Sequence, residues 1–256
     1  MMLKLEGMSK HFGGVKAVDD VSLTMNEGEI FGLIGPNGSG KSTTINLITG
    51  LYAPTSGTVS LEGRDLTALA QHERTALGVA RTFQNIRLFG NLSVAENLWV
   101  AQNGHKQRRQ HFISRWFKAG GLQDTNIDEL LRFSRLHSKK DSLASALSFG
   151  EMRRLEMARA LASNPKVLLL DEPAAGASIE DGQLLGERIR AVRDRGVSIL
   201  LIEHMMELVM GITDRMAVLN FGRKIAEGTP SDIQSNPDVR AAYLGTKNKN
   251  KEPADA

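Results

Sequence analysis

The sequence contains no cysteine. That excludes a disulfide scaffold and a thiolate metal site, and it is compatible with a reducing compartment. Long apolar runs are also missing: stretches such as Val167 to Leu170 and Ile199 to Ile202 fall far short of the roughly 18 residues that a spanning helix needs. Met1 to Gly7 offers no basic region followed by a long apolar one, so a secretory signal peptide is not expected. Charge of one sign is scarce too. Lys and Arg number 32 against 29 Asp and Glu, a net +3 that is too small to argue for a nucleic-acid partner. What remains is 256 residues, 41% hydrophobic and 24% charged, the composition of a globular chain long enough for one large domain or a core with a subdomain.

Short β-type runs separated by helical stretches recur at Val21 to Met25, Ile30 to Ile34, Thr58 to Leu61, Val167 to Leu170, Ser198 to Ile202 and Met216 to Leu219. Buried Val/Ile/Leu-rich strands of this kind predict an α/β fold with a largely parallel sheet. Leu3 to Glu6 and Val21 to Met25 lack room for a helix between them, which predicts a small antiparallel sheet at the N-terminus. From about Ser93 to Pro165 the strands disappear and apolar residues fall at helical steps, as in Leu130, Leu131, Phe133 and Leu136, so a helical subdomain is predicted within the core. The segment His105 to Lys118 gathers Lys106, Arg108, Arg109, Arg115 and Lys118 around Phe112, Trp116 and Phe117. It reads as a solvated loop and amphipathic helix ahead of a lipid- or partner-binding element. Gly245 to Ala256 is polar, and a frayed tail over 246–256 is expected.

Gly35-Pro36-Asn37-Gly38-Ser39-Gly40-Lys41-Ser42 satisfies the phosphate-loop pattern and stands where that pattern belongs, after the apolar run Ile30 to Ile34 and before a helix-like stretch from Thr43 to Thr49. The glycines let backbone N–H groups wrap a phosphate, Lys41 reaches the β- and γ-phosphates, the Ser42 hydroxyl coordinates Mg2+, and Thr43 continues the cradle into the helix. The alternative, a glycine-rich turn with no ligand, does not explain that strand-loop-helix context. A second phosphate-side element is Val167 to Leu170 followed by Asp171, Glu172 and Pro173. An acid at the carboxyl end of a buried strand lies where open α/β sheets bind ligands. Asp171 is therefore placed to hold Mg2+, and Glu172 to orient and deprotonate an attacking water.

Leu147-Ser148-Phe149-Gly150-Glu151, opening a helix through Arg153, Leu155 and Ala158 just before the acidic strand, resembles the signature sequence of ABC-transporter ATPases. The resemblance implies a P-loop NTPase core with a mainly parallel sheet, an N-terminal antiparallel β subdomain and an inserted α-helical subdomain. It implies that Ser148 and Gly150 close over the γ-phosphate held by a second ATPase subunit. It further assigns Gln84, in Thr82-Phe83-Gln84, to the glutamine that touches Mg2+ and the attacking water, His204 to the switch histidine, and Phe12 to the aromatic that stacks on adenine. Without the resemblance, Phe12 and His204 would each read as core residues.

Arg81 to Phe89, Asp171 to Gly176, Ile202 to Gly211 and Asn236 to Gly245 are similar to the ATP-binding subunit of branched-chain amino-acid uptake systems. ATPases for urea uptake and lipopolysaccharide export share parts of the pattern. The similarity runs from about Leu3 to Gly245, giving one domain over 1–245 with a core of 1–92 and 166–245 and a helical subdomain of about 93–165. It implies ATP and Mg2+ as ligands, membrane permeases and a second ABC ATPase as partners, and a periplasmic or extracellular substrate-binding protein reached indirectly. The implied location is peripheral, on the cytoplasmic side of the cell membrane, with no nucleic acid involved. Ile86, Leu88 and Phe89 are the candidate permease-docking segment, set against a plain core role. Phe149, Glu151, Ala177, Ser178 and Met205 depart from the family pattern. A non-transport ABC ATPase, a nucleotide-dependent switch and a phosphotransfer kinase are the alternatives. The last leaves the signature helix and His204 without a role.

Overall fold

The computed structural model describes residues 1–82, 86–103, 125–176 and 178–244. Gln84, Ala177, the basic-aromatic segment 105–118 and the tail 246–256 lie outside the described residues.

The chain opens with β1 (Leu3–Phe12), β2 (Val15–Met25) and β3 (Ile30–Ile34), then α1 (Lys41–Thr49), β4 (Ser56–Leu61), β5 (Arg64–Asp65), α2 (Gln71–Ala76) and β6 (Val79–Arg81). Helices α3 (Val94–Asn103), α4 (Thr125–Phe133) and α5 (Phe149–Ala162) follow, with short 3-10 turns at His137–Lys139 and Ala144–Ala146. The remainder alternates β7 (Val167–Asp171), α6 (Ile179–Arg193), β8 (Ser198–Ile202), α7 (Met206–Ile212), β9 (Arg215–Asn220) and β10 (Arg223–Gly228), closing with α8 (Pro230–Ser235) and α9 (Pro237–Leu244).

Two sheets result. The expected N-terminal antiparallel sheet has the order β2-β1-β4-β5, with Leu3 opposite Met25 and Leu5 opposite Leu23. The second sheet runs β10-β9-β3-β8-β7-β6, parallel throughout except for the β10 edge. Every residue of β3, β7 and β8 is buried, because such strands are covered on both faces.

Alternation along these strands divides the core in two. Phe31, Leu33, Leu169, Leu200 and Ala217 pack with α1 and the antiparallel sheet, including Leu5, Val21 and Leu47. Ile34, Leu168, Leu170, Leu201 and Val218 point the other way, onto Leu98, Leu131, Leu155, Ile189 and Val209 of the helices. Three-residue β6 carries too little periodicity to be read from sequence, yet it pairs with β7 at Arg81 and Leu169 and so places Arg81 beside the acidic strand end.

Arg74, only 1% exposed, is clasped by the end of α1. Its guanidinium donates to the carbonyls of Leu47 (2.6 Å), Ile48 (2.9 Å), Leu69 (3.0 Å) and Thr67 (2.9 Å). The first two belong to the last helical turn, where carbonyls lack helical partners and the dipole is negative. A Cβ on Gly50 would fall 2.7 Å from Arg74 Nε, so the helix stops there with a glycine in the left-handed region. Arg74→Met would strip these buried carbonyls of the guanidinium donors, leaving Leu47 only the Gly50 N–H (3.3 Å), and should lower stability by about 3 kcal/mol. Urea denaturation of the two proteins checks this, and a difference below about 1 kcal/mol would contradict the clasp.

Candidate active site

The loop between β3 and α1 folds over its own lysine. Lys41 is 5% exposed, and its ammonium donates to the carbonyls of Gly35 (2.7 Å) and Pro36 (2.9 Å). Burial pulls its pKa down, while Glu172 and Asp171 push it back up. The two carboxylates predicted from the second strand are therefore within electrostatic reach of the phosphate-loop cation. Gly35, Gly38 and Gly40 have φ of 148°, 77° and 106°. A Cβ would stand 2.1 Å from the Leu219 carbonyl at Gly35 and 2.5 Å from the Ala17 carbonyl at Gly40. Neither position accepts a side chain, so the pattern's glycines answer to backbone packing as well as to a ligand. The Ser39 hydroxyl is buried with no hydrogen-bond partner among the described residues, and a Cβ on Gly35 would lie 2.7 Å from it. An orphaned buried hydroxyl in a glycine-rich loop at a helix N-terminus suits an anion.

Ser42 is exposed in the first turn of α1, and Thr43 beside it is half-buried. Asp171 ends β7 with its Oδ2 2.6 Å from Arg81 Nη2, and the other guanidinium nitrogen reaches Asn46 Oδ1 on α1 at 2.6 Å. Hydroxyl and carboxylate oxygens fit Mg2+, which takes few protein ligands and fills its shell with water and phosphate oxygens. Among the described residues no group of three or more His, Cys, Asp and Glu could hold a metal by itself. Asn37 and Gly38 lie at the open side of the loop, beside a cavity shared with Phe221 and α9.

Glu172 takes φ +50°, a region that side chains other than those of Gly, Asn and Asp seldom adopt and that costs of order 1–3 kcal/mol. It is held there by its N–H on the Ile202 carbonyl (2.9 Å) and by its carbonyl, which accepts from Ala175 (3.1 Å). Arg153 clamps the same turn through the carbonyls of Pro173 and Ala175, each at 2.9 Å. The result aims Glu172 across the sheet. Its Oε1 lies 2.6 Å from His204 Nε2, so two residues 32 apart in sequence that were predicted separately meet at the ends of adjacent strands. Arg81, Arg153 and Glu203, which touch these groups, stand in segments that carry the family resemblance, but their roles have no local signal because each acts on a partner far along the chain.

Ser148 is the N-cap of α5. Its hydroxyl accepts from the Glu151 N–H (3.4 Å), and the Glu151 carboxylate accepts from the Ser148 N–H (3.0 Å), a reciprocal capping box. Gly150 has φ in the ordinary range, and a Cβ there would meet only the end of Arg154 at 3.9 Å. Nothing among the described residues requires a glycine at that position. Phe149 stands exposed beside Arg153. Ser178 caps α6 through the Asp181 N–H (3.1 Å), and Met205 packs its sulfur against α6 at Gly182.

Phe12 ends β1 opposite Val15, 44% exposed. Tyr52 meets it edge-on at 5.3 Å and the Lys10 ammonium stands 5.1 Å from its ring centre. Three residues beyond that hairpin, the Ala17 and Val18 region abuts Gly40. Leu88 packs onto the core whereas Phe89 is exposed. No helix among the described residues is long and apolar enough to cross a membrane.

Residues 18–175 match the family model described as ABC transporter, and residues 223–247 match one described as branched-chain amino acid ATP-binding cassette transporter. The high-affinity branched-chain amino acid transport ATP-binding protein LivG of Salmonella typhimurium is 44% identical over 95% of this chain and 98% of its own length. BraF of Pseudomonas aeruginosa, with the same description, is 40% identical over the same shares. The lipopolysaccharide export system ATP-binding protein LptB of Haemophilus influenzae is 35% identical over 97% of this chain and 99% of its own length. Among solved structures, an ATP-binding cassette of an ABC transporter in its ADP conformation superposes with a TM-score of 0.82 at 33% identity, covering 95% of this chain and 98% of that one.

The Lys139 ammonium, 2.7 Å from Glu151, and the Ser148 N–H hold the Glu151 carboxyl down to about 2 from 4.5. A carboxyl depressed by folding contributes stability that is complete above its ordinary pKa and is lost as pH falls toward the folded value. Replacing it by Glu151→Gln should flatten the acid limb of a urea-midpoint titration below about pH 4.5. Parallel limbs for the two proteins would show that the capping carboxylate contributes nothing.

Proposed function

The chain belongs to the ABC transporter family, and on that footing we propose that it is the ATP-hydrolysing subunit of an importer of branched-chain amino acids. The observation that supports the hydrolytic part is that Asp171 and Glu172 lie within electrostatic reach of the buried Lys41 while Glu172 meets His204 at 2.6 Å. In this reading the N–H groups from Gly35 to Thr43 surround the phosphates, with Pro36, Asn37 and Ser39 shaping the loop. Lys41 leaves its two carbonyls for the β- and γ-phosphate oxygens. Phe12 offers its exposed face to the adenine. Ser42 and Asp171, with Gln84, hold Mg2+, which when bound screens the phosphate charge. Glu172 takes the proton of the attacking water as general base, and His204 orients Glu172 and contacts the γ-phosphate.

Ser148 and Gly150 serve a second ATPase subunit. A glycine that no described residue of its own chain requires, at the start of a helix, leaves room for the close approach of another chain's nucleotide. Each working site is thus shared, and the functional unit pairs this chain with a copy or a related ATPase. The domain runs over 1–245, with core segments 1–92 and 166–245, helices at about 93–165 and a tail at 246–256. It docks peripherally on permeases at the cytoplasmic side of the membrane, with the exposed Phe89 in the docking segment and a substrate-binding protein on the far side. Branched-chain amino acids rank above lipopolysaccharide as cargo because the LivG and BraF identities exceed that of LptB and because residues 223–247 match the branched-chain model.

Two substitutions test the site. Lys41→Ala should lose ATP affinity by at least about tenfold, since the buried charge facing the phosphates is gone; unchanged binding of a fluorescent ATP analogue would sink the phosphate-loop assignment. Glu172→Gln should keep that affinity while turnover falls about a hundredfold or more, and normal turnover would remove Glu172 from the base role.

A further inference from the structure

Glu203 follows β8 and is 3% exposed. Its Oε1 accepts the N–H of Ala174, in the turn that follows Glu172, and its Oε2 accepts the N–H groups of His204 (2.8 Å) and Met205 (3.2 Å). One buried carboxylate therefore bridges two loops, the one carrying Glu172 and the one carrying His204. Burying an acid is costly unless donors surround it, and here backbone N–H groups fill that need.

The bridge sits just past the last paired residues of the sheet, beyond the single backbone bond from the Glu172 N–H to the Ile202 carbonyl. Strands β7 and β8 pair as far as Asp171 and Ile202, and both loops begin at the next residue. Glu172 leaves its strand with φ +50°, so the position of its side chain depends on what restrains the turn behind it. Arg153 grips that turn from the α5 side. Fixing the turn relative to the histidine takes anchors on the His204 side: among the described residues the Ile202 carbonyl holds the Glu172 N–H (2.9 Å) at the strand end, and Glu203 adds the anchor further round the turn, at Ala174. The 2.6 Å contact between Glu172 and His204 joins the two loops that this carboxylate aligns.

We propose that Glu203 is a positioning residue for ATP hydrolysis, whose carboxylate holds the Glu172 turn and the His204 loop in the register at which their side chains meet. The inference rests on the reading of Glu172 and His204 given above. A glutamine has the same shape but a single acceptor oxygen, and its amide N–H2 would face backbone N–H groups at one of the two loops. One anchor is then lost. The phosphate loop is held through other contacts, the Gly222 N–H on the Ser39 carbonyl (3.0 Å) and the Lys41 ammonium on the Gly35 and Pro36 carbonyls, none of which involves Glu203, so the bridge is not expected to carry ATP binding.

The test compares the full chain with Glu203→Gln and Glu203→Asp, and with Glu172→Gln as control, by steady-state turnover normalised to the number of ATP-binding sites. The expected result for Glu203→Gln is a fall in kcat of at least about tenfold, with KM and ATP affinity within about twofold, as befits misplaced reacting groups rather than lost binding. Glu203→Asp, which retains both acceptor oxygens, should lose less than Glu203→Gln. An unchanged kcat in Glu203→Gln, equal losses in both variants, or ATP affinity falling together with kcat would each overturn the positioning role. Normal turnover in Glu172→Gln would instead overturn the base assignment beneath it.

Discussion

Everything at the candidate site turns on keeping one ammonium out of water. Lys41 is charged and buried, and desolvation alone would drive it toward neutrality. The chain offsets that cost with the carbonyls of Gly35 and Pro36 and with the nearby negative charges of Asp171 and Glu172. The loop must therefore curl tightly, which forces the backbone at Gly35 and Gly40 into conformations that tolerate no Cβ. The carboxylates must in turn come from a strand close to β3. The sheet order β3-β8-β7 meets this with one strand between them, and that middle strand delivers Glu203 and His204 into the gap.

Around this charge sit residues that hold the proposed reacting groups without reaching the phosphate loop. Arg81 fixes Asp171 and ties it to α1 through Asn46. Arg153 grips the turn after Glu172 from one side, and Glu203 from the other. Such preorganisation suits chemistry that is mostly positioning and electrostatics. The signature helix is different in kind: Ser148 and Glu151 satisfy each other, and nothing among the described residues requires a glycine at Gly150. In the proposed shared site, the phosphate loop and the strand ends are one half and the signature helix is what this chain would offer to the other.

What could be read in advance follows from the range of the interactions. The phosphate loop, β3, β7, β8 and the N-terminal antiparallel pairing are written in contiguous residues, as apolar runs ended by Gly or Asp. The strand Val79–Arg81 is too short for any period to show, although it positions the partner of Asp171. Arg74 looks like a surface helical residue until α1 closes on it, and Glu203 looks like a strand-end acid until Ala174 arrives from a segment 29 residues earlier. His204 and Phe12 were legible only through the family resemblance, because a lone histidine or phenylalanine has no local pattern. The partner of His204, Glu172, becomes visible only once β7 and β8 are neighbours.

The central claim is that ATP turnover at this site drives amino-acid import through membrane partners. The most direct measurement is the ATPase rate of the intact complex, isolated with its permeases and placed in vesicles, with and without a leucine-loaded substrate-binding protein on the opposite side. A rise in turnover with the loaded protein, accompanied by leucine uptake, is the predicted result. Turnover that is the same under both conditions, with no leucine crossing the membrane, would contradict it.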